Sequence, residues 1–217
     1  MPLSALQISE IFTSIQGEST DSGQVTTFVR LTGCPVRCVY CDTEWAFSGG
    51  VRRELDDVLR DVQSRGCRRV CVTGGEPLAQ QASHDLIARL IDDGYLVSVE
   101  TSGVRSIAGV PRPSKVVLDL KTPSSGAYQA WLAENLDELQ AGDELKAVCC
   151  NRADWEWLCE TWRREHERLS GVTWLVSAAE PMLQAAELAD WLIDSGLPFR
   201  LNLQLHKVLW PGVDRGR

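Results

Sequence analysis

The chain has 217 residues, 44% of them hydrophobic, which is enough for one well-cored domain and short for two. It carries 22 basic and 30 acidic side chains, a formal net charge of −8, and so lacks the basic excess of a nucleic-acid-binding protein. No apolar run approaches the length of a membrane span, and residues 1–10 have neither the basic start nor the apolar run of a secretory signal, so the expectation is a soluble, cytoplasmic protein.

Strand-like and helix-like runs alternate along the chain. Residues 10–15 read equally well as strand or helix. Val25–Leu31 is rich in β-branched residues and stops before Gly33. Residues 54–64 read as an amphipathic helix, with Leu55, Val58, Leu59 and Val62 at helical spacing and Gly66 past its end. A short strand over 69–73 leads into Gly74 and Gly75, and a helix over 84–92 closes near Gly94. Strands follow over 95–101, Lys115–Leu120 and Glu144–Cys149. A long helix is expected over 154–169, a strand over 172–176, a helix over 181–194 and a last strand over 199–205. Such alternation predicts a mostly parallel sheet with helices outside it, curled toward a barrel or wound on both faces. The units are too few for a full eight-fold barrel of typical length.

Three of the eight cysteines, Cys34, Cys38 and Cys41, stand in one C-x3-C-x2-C run directly after the Val25–Leu31 strand. Three thiolates on a short loop can hold three irons of a [4Fe–4S] cluster and leave the fourth iron open to a small molecule. Zinc is the alternative, but a structural zinc site wants a fourth ligand, and His84, His166 and His206 are all distant in sequence. Disulfides are the other alternative, disfavoured where no export signal is present. Cys67 and Cys71 repeat a C-x3-C spacing, but Cys71 lies in the apolar run 70–72, Cys149 and Cys150 end a strand-like run and Cys159 falls in a helical pattern, so buried packing is the simpler reading. Several polar residues follow predicted strands, at the ends where parallel α/β proteins place their chemistry: Thr73, Gly75, Glu76, Ser102, Lys121, Gln204 and His206. Read alone, each has an ordinary explanation. Ser102 suits a turn, Asp119 with Lys121 suits a surface ion pair, and His206 suits a satisfied core histidine.

The cysteine loop together with Gly74-Gly75-Glu76-Pro77 resembles the radical S-adenosylmethionine enzymes. That resemblance implies a partial (β/α)6-type open barrel spanning 1–217 as a single domain. It also implies a cluster whose open iron binds S-adenosylmethionine and whose electron cleaves it to a 5′-deoxyadenosyl radical. Gly75 and Glu76 would bind the cofactor's amino group, and Tyr40 would lie near the adenine. Cys41, Asp42, Ser102, Asp119, Lys121, Gln204 and His206 would line the rest of that cofactor.

Residues 12–18, Arg30, Cys41-Asp42-Thr43 and the tail 204–210 narrow the resemblance to the 7-carboxy-7-deazaguanine synthase family. It implies a carbon–nitrogen lyase that turns 6-carboxy-5,6,7,8-tetrahydropterin into 7-carboxy-7-deazaguanine and ammonia, for queuosine and other 7-deazapurines. Ile15, Gln16, Gly17 and Glu18 would read the pterin edge, Thr73 would hydrogen-bond it, and the forked Arg30 guanidinium would bind its carboxylate. Thr43 would be the protein ligand of a Mg2+ ion. In some members the C-terminal carboxylate touches substrate, which here points to Arg217. Ser19 departs from the glycine common at that position. The resemblance also implies a homodimer and an electron-donor protein such as a flavodoxin. A radical activase that modifies a partner protein would share the cluster and glycine motifs. The set Gln16, Glu18 and Arg30 favours a small polar substrate instead.

Overall fold

The structure, a computed structural model, describes residues 5–213 and 215–217. Nine strands among them form one open sheet in the order β3-β1-β2-β4-β5-β6-β7-β8-β9. They are β1 (Ala5–Ile15), β2 (Val25–Leu31), β3 (Val51–Glu54), β4 (Arg69–Gly74), β5 (Leu96–Thr101), β6 (Lys115–Leu120), β7 (Glu144–Cys149), β8 (Thr173–Ala178) and β9 (Arg200–Leu201). From β2 onward, β4 to β9 add in parallel, while β1 lies antiparallel between β2 and β3. The helices are α1 (Leu55–Ser64), α2 (Ala82–Asp92), α3 (Arg152–Glu165), α4 (Ala185–Ser195) and α5 (Leu205–Leu209). The mostly parallel, unclosed sheet is the architecture the resemblance implies.

Period-two alternation decides which side chains meet the helices and which meet the cavity. In β6, Val116, Leu118 and Leu120 enter the helix-covered core, while Val117 and Asp119 face the cavity. In β7, Leu145, Ala147 and Cys149 go to the core, and Lys146 and Val148 to the cavity. β2 divides likewise, with Val29 and Leu31 inside and Phe28 and Arg30 toward the cavity. The sheet is thus a two-faced plate, one face sealed by α1 to α4 and the other lining a site.

Four expectations need correction. The ambiguous run at 10–15 is the second half of an eleven-residue strand, and β3 was not foreseen. The helix expected at 181–194 begins only at Ala185, because Met182 and Leu183 turn back on the Ala179 carbonyl. The helix expected to reach 169 ends at Glu165. The strand expected at 199–205 pairs only over Arg200–Leu201. Asn202 N–H still donates to the Val176 carbonyl, but its own carbonyl accepts from the Ser177 hydroxyl at 2.8 Å, and its side chain accepts from Ser19 N–H at 2.8 Å and donates to the Ser177 hydroxyl at 2.9 Å, so the ladder stops there. Gln204 and His206 consequently sit at the start of α5, not at a strand end.

Candidate active site

A cavity of about 490 Å³ opens over the polar face of the sheet at the C-terminal ends of the parallel strands. That volume suits a small-molecule site. Its wall includes Ile15, Gln16, Gly17, Glu18, Arg30, Cys34, Cys38, Tyr40, Cys41, Asp42, Thr43, Thr73, Gly75, Ser102, Asp119, Lys121, Gln204, His206 and Arg217. Of the residues singled out in the sequence, only Glu76 is absent from the wall.

The cysteine loop is held from several sides. Arg37 Nη1 donates to the carbonyls of Cys34 at 2.8 Å and Val36 at 2.7 Å, and its guanidinium lies 3.9 Å from the Phe47 ring centroid. The Gly33 carbonyl accepts from Glu76 N–H at 2.8 Å, tying the loop to the end of β4. Gly75 is required there, since any Cβ would overlap Gly33 and Cys34. All three thiols are free and half-buried, and burial pushes each of them up. Among the described residues no three or more His, Cys, Asp or Glu converge on a single ion. A four-iron cube takes each of three thiolates on a different iron, which suits three cysteines spread along one loop. Lys121, its side chain only 4% exposed, donates to Asp119 Oδ2 at 2.9 Å and lies 5.6 Å from the Tyr40 ring centroid. The Tyr40 hydroxyl and Asp119 Oδ1 are buried polar atoms with no partner among the described residues. Such orphans on a cavity wall fit a site built for a polar ligand.

Glu76 lies beneath the wall, fully buried. Its carboxylate accepts from Leu78 N–H at 2.9 Å, from the Thr101 hydroxyl at 2.8 Å and from Ser102 N–H at 2.7 Å, and also from the Ser102 hydroxyl. Its donors here are protein groups, and through two of them it fixes Ser102 at the rim of the cavity.

The opposite half of the cavity is a network of ion pairs. Glu18 Oε2 pairs with Lys146 Nζ at 2.6 Å, and Glu18 Oε1 accepts from Gln204 Nε2 at 2.8 Å. Burial works to raise the Glu18 carboxyl, but Lys146 and Gln204 outweigh it and hold it below the usual range. Burial opposes the charge on Lys146, yet Glu18, Asp119 and Glu100 keep its pKa above the ordinary lysine value. Gln204 Nε2 also reaches Asp42 Oδ2 at 3.0 Å, so one amide links Glu18 to the cysteine loop. Asp42 accepts from Thr43 Oγ1 at 2.8 Å and pairs with Lys207 at 3.1 Å. Burial would raise Asp42, but Lys207 and the hydrogen bonds from Thr43, Lys207 and Gln204 bring it down to about 2. Glu100 accepts from Gln16 Nε2 at 3.0 Å and from Thr73 Oγ1 at 3.2 Å.

The backbone of residues 15–17 is less available than expected. Gln16 N–H and C=O are paired with Gln24 and Gly23, and the Gly17 carbonyl accepts from Leu205 N–H. Gly17 is glycine because the His206 ring packs where a Cβ would stand. Reading a ligand there falls to side chains. Arg30 is half-buried, its guanidinium near the Phe12 and Trp45 rings and its Nε donating to Glu10 Oε1 at 3.0 Å. Arg217 lies over the Trp210 ring at 5.4 Å, in a tail that closes one side of the cavity.

Lys146, Glu100, Glu10, Asn202 and Lys207 were not singled out from sequence. The first two had a signal: Glu100 is the one charge in its strand and Lys146 the one cation in its own, each on the face opposite the apolar core residues, where a buried charge demands a partner.

Fold and cysteine loop together define a member of the Radical SAM superfamily, whose family model matches residues 28–192. Three curated relatives are similar over nearly their whole length. Those of Koribacter versatilis and Chlorobaculum tepidum are each 36% identical over 97% of this chain, covering 100% and 97% of the relative. That of Thermoplasma acidophilum is 33% identical over 95% of this chain and 99% of its own. The crystal structure of QueE from Escherichia coli shares the fold, with a TM-score of 0.77 at 24% identity over 93% of this chain and 95% of that one. All three relatives are named 7-carboxy-7-deazaguanine synthase, and the chain belongs to that family. A [4Fe–4S] cluster and S-adenosylmethionine come with membership of the superfamily. Among the described residues no helix is long and apolar enough to cross a membrane.

Proposed function

We propose that the chain, acting as one domain in the cytoplasm, converts 6-carboxy-5,6,7,8-tetrahydropterin to 7-carboxy-7-deazaguanine with release of ammonia. The observation that carries this reading is the division of one cavity into a cationic fork, an acidic wall and a three-cysteine loop. Glu10 occupies the Nε edge of Arg30, which leaves the two terminal nitrogens to take the substrate carboxylate bidentately. Glu18 and Glu100, both acceptors, face the N–H edge of the pterin, with Gln16 and Thr73 beside them. Cys34, Cys38 and Cys41 hold the cluster, which with S-adenosylmethionine supplies the one-electron chemistry. Tyr40, Asp42, Gly75, Ser102, Asp119, Lys121, Gln204 and His206 bind that cofactor, and Glu76 acts through Ser102. Thr43 donates its proton to Asp42, so its oxygen lone pairs stay free for Mg2+ beside the carboxylate. A flavodoxin-like donor supplies the electron, and the working form is a homodimer.

Binding to cluster-loaded, unreduced protein tests this reading without turnover. The carboxypterin should bind more tightly than its analogue without the carboxylate by roughly tenfold to a hundredfold, the worth of a charge-assisted hydrogen bond of about 1.5–3 kcal/mol. Arg30→Lys should erase most of that difference, and Thr43→Val should remove the dependence on Mg2+. Equal affinity for the two pterins in the parent protein would contradict the assignment.

A further inference from the structure

Glu10 is a charged residue in the middle of β1, and the mechanism above uses it only as a neighbour. Its position is specified. The β1–β2 register shifts between Ile8 and Glu10, and the irregularity sets Glu10 directly opposite Arg30. Such an irregularity re-aims the side chain beside it. The two carboxylate oxygens then have different tasks. Oε1 accepts from Arg30 Nε at 3.0 Å, and Oε2 accepts from the backbone N–H of Gly216 at 3.2 Å. Both side chains of the ion pair are mostly buried, at 17% and 16% exposure, so the pair is only weakly screened. The tail is drawn to the same spot by a second contact, since the Arg215 guanidinium stacks 4.2 Å from the Trp45 ring centroid, and Trp45 also packs against Arg30.

We infer that Glu10 is a positioning residue that couples closure of the C-terminal tail over the cavity to the orientation of the Arg30 fork. The inference rests on Arg30 as the carboxylate-binding group. One carboxylate fixes the guanidinium plane and pins the tail, so each arrangement favours the other. A pterin carboxylate held on the fork orders Arg30, Arg30 orders Glu10, and Glu10 holds the tail down to shield the site from water. The coupling is reciprocal, as any linkage between two binding events must be.

Glutamine at this position separates the two tasks. A carboxylate accepts at both oxygens, whereas an amide accepts at one and donates at the other. Glu10→Gln can therefore accept from Arg30 or from Gly216 N–H, and the charged guanidinium is the stronger donor.

Two measurements on the cluster-loaded full chain test the proposal. One is the KM and kcat for the pterin. The other is trypsin cleavage after Arg215, followed by intact mass as loss of the last two residues. In the parent protein the pterin should slow cleavage. Glu10→Ala should raise KM roughly tenfold with little change in kcat, the mark of lost uniform binding, and cleavage should become fast and insensitive to pterin. Glu10→Gln should keep KM close to the parent value yet lose tail protection. That split is something a merely structural role would not produce. Parent-like KM and parent-like cleavage in Glu10→Ala would overturn the proposal, as would equal loss of both properties in Glu10→Gln. If the pterin fails to bind even the parent protein, the functional reading fails separately, and faster tail cleavage in ligand-free Glu10→Ala still reports the contact with Gly216.

Discussion

Alanine at any one of Cys34, Cys38 or Cys41 should abolish turnover. The three thiols are free, share one cavity wall, and sit on a loop held by Arg37 and by the end of β4 rather than by the thiols themselves. Their half-buried side chains contribute little to the core, so each variant should unfold within about 0.5 kcal/mol of the parent protein, as for substitutions away from packing features. Cluster assembly is a different matter. A cube that loses one of three thiolates exposes a second iron and loses its fixed orientation toward the cofactor. Anaerobically reconstituted parent protein should carry about four irons per chain, and each variant far fewer. Burial raises all three thiols, so iron must displace protons to bind, and loading should weaken as pH falls. An alanine variant that keeps its iron and its turnover would remove the cluster from this loop.

Lys146→Met should have the largest effect on stability among residues of the cavity. The substitution keeps length and apolar bulk but strands Glu18, whose carboxylate is 2.6 Å from the lost ammonium. Removing one partner of a buried pair costs about 3–5 kcal/mol, and the opening of this site to the cavity places the loss at or below the lower end. The sign of the pH dependence follows from the two shifts. Glu18 is held below the usual carboxyl range, so its contribution is present above that range and disappears only as pH falls through the lowered value. Lys146 is held above the usual lysine range, so its contribution survives until pH rises through the raised value. The pair is therefore complete across neutral pH in the parent protein. Without Lys146 only the Gln204 and Asn202 amides oppose the burial of Glu18, and its carboxyl moves up. Pterin affinity should then fall with acidification at pH values where the parent protein is flat. Adding Glu18→Gln should recover much of the stability, because no buried charge is left, but not the affinity. Parent-like stability and a flat pH profile in Lys146→Met would show that the pair is not what holds Glu18.

How much of this was legible in the sequence depends on the range of the interaction. The cysteine loop, the Gly74-Gly75 turn and the strand ends that carry Thr73, Ser102 and Lys121 are local patterns, and the structure gathers them on one cavity wall. The floor was not. Glu100 is the one charge of the strand Leu96–Thr101 and Lys146 the one cation of Glu144–Cys149, and their partners Gln16 and Glu18 come from the loop after β1. No local pattern announces a pairing across 84 or 128 residues. The last strand failed for a related reason. Residues 199–205 alternate like a strand, but Asn202 is claimed by Ser19 and Ser177 from elsewhere in the chain, and the next turn becomes α5. Tertiary demand overrode propensity there. Glu76 lies behind the wall rather than on it, a difference of depth that sequence does not encode.

The central claim is that this cavity performs the pterin-to-deazapurine conversion, and product analysis tests it most directly. Reconstituted, reduced protein should be incubated anaerobically with S-adenosylmethionine, Mg2+ and 6-carboxy-5,6,7,8-tetrahydropterin, with the products resolved by liquid chromatography and mass spectrometry. The predicted result is 7-carboxy-7-deazaguanine with matching ammonia, lost in Arg30→Ala and in each cysteine variant. Cleavage of S-adenosylmethionine with no deazaguanine formed would contradict the account and restore the reading of a radical activase acting on another protein.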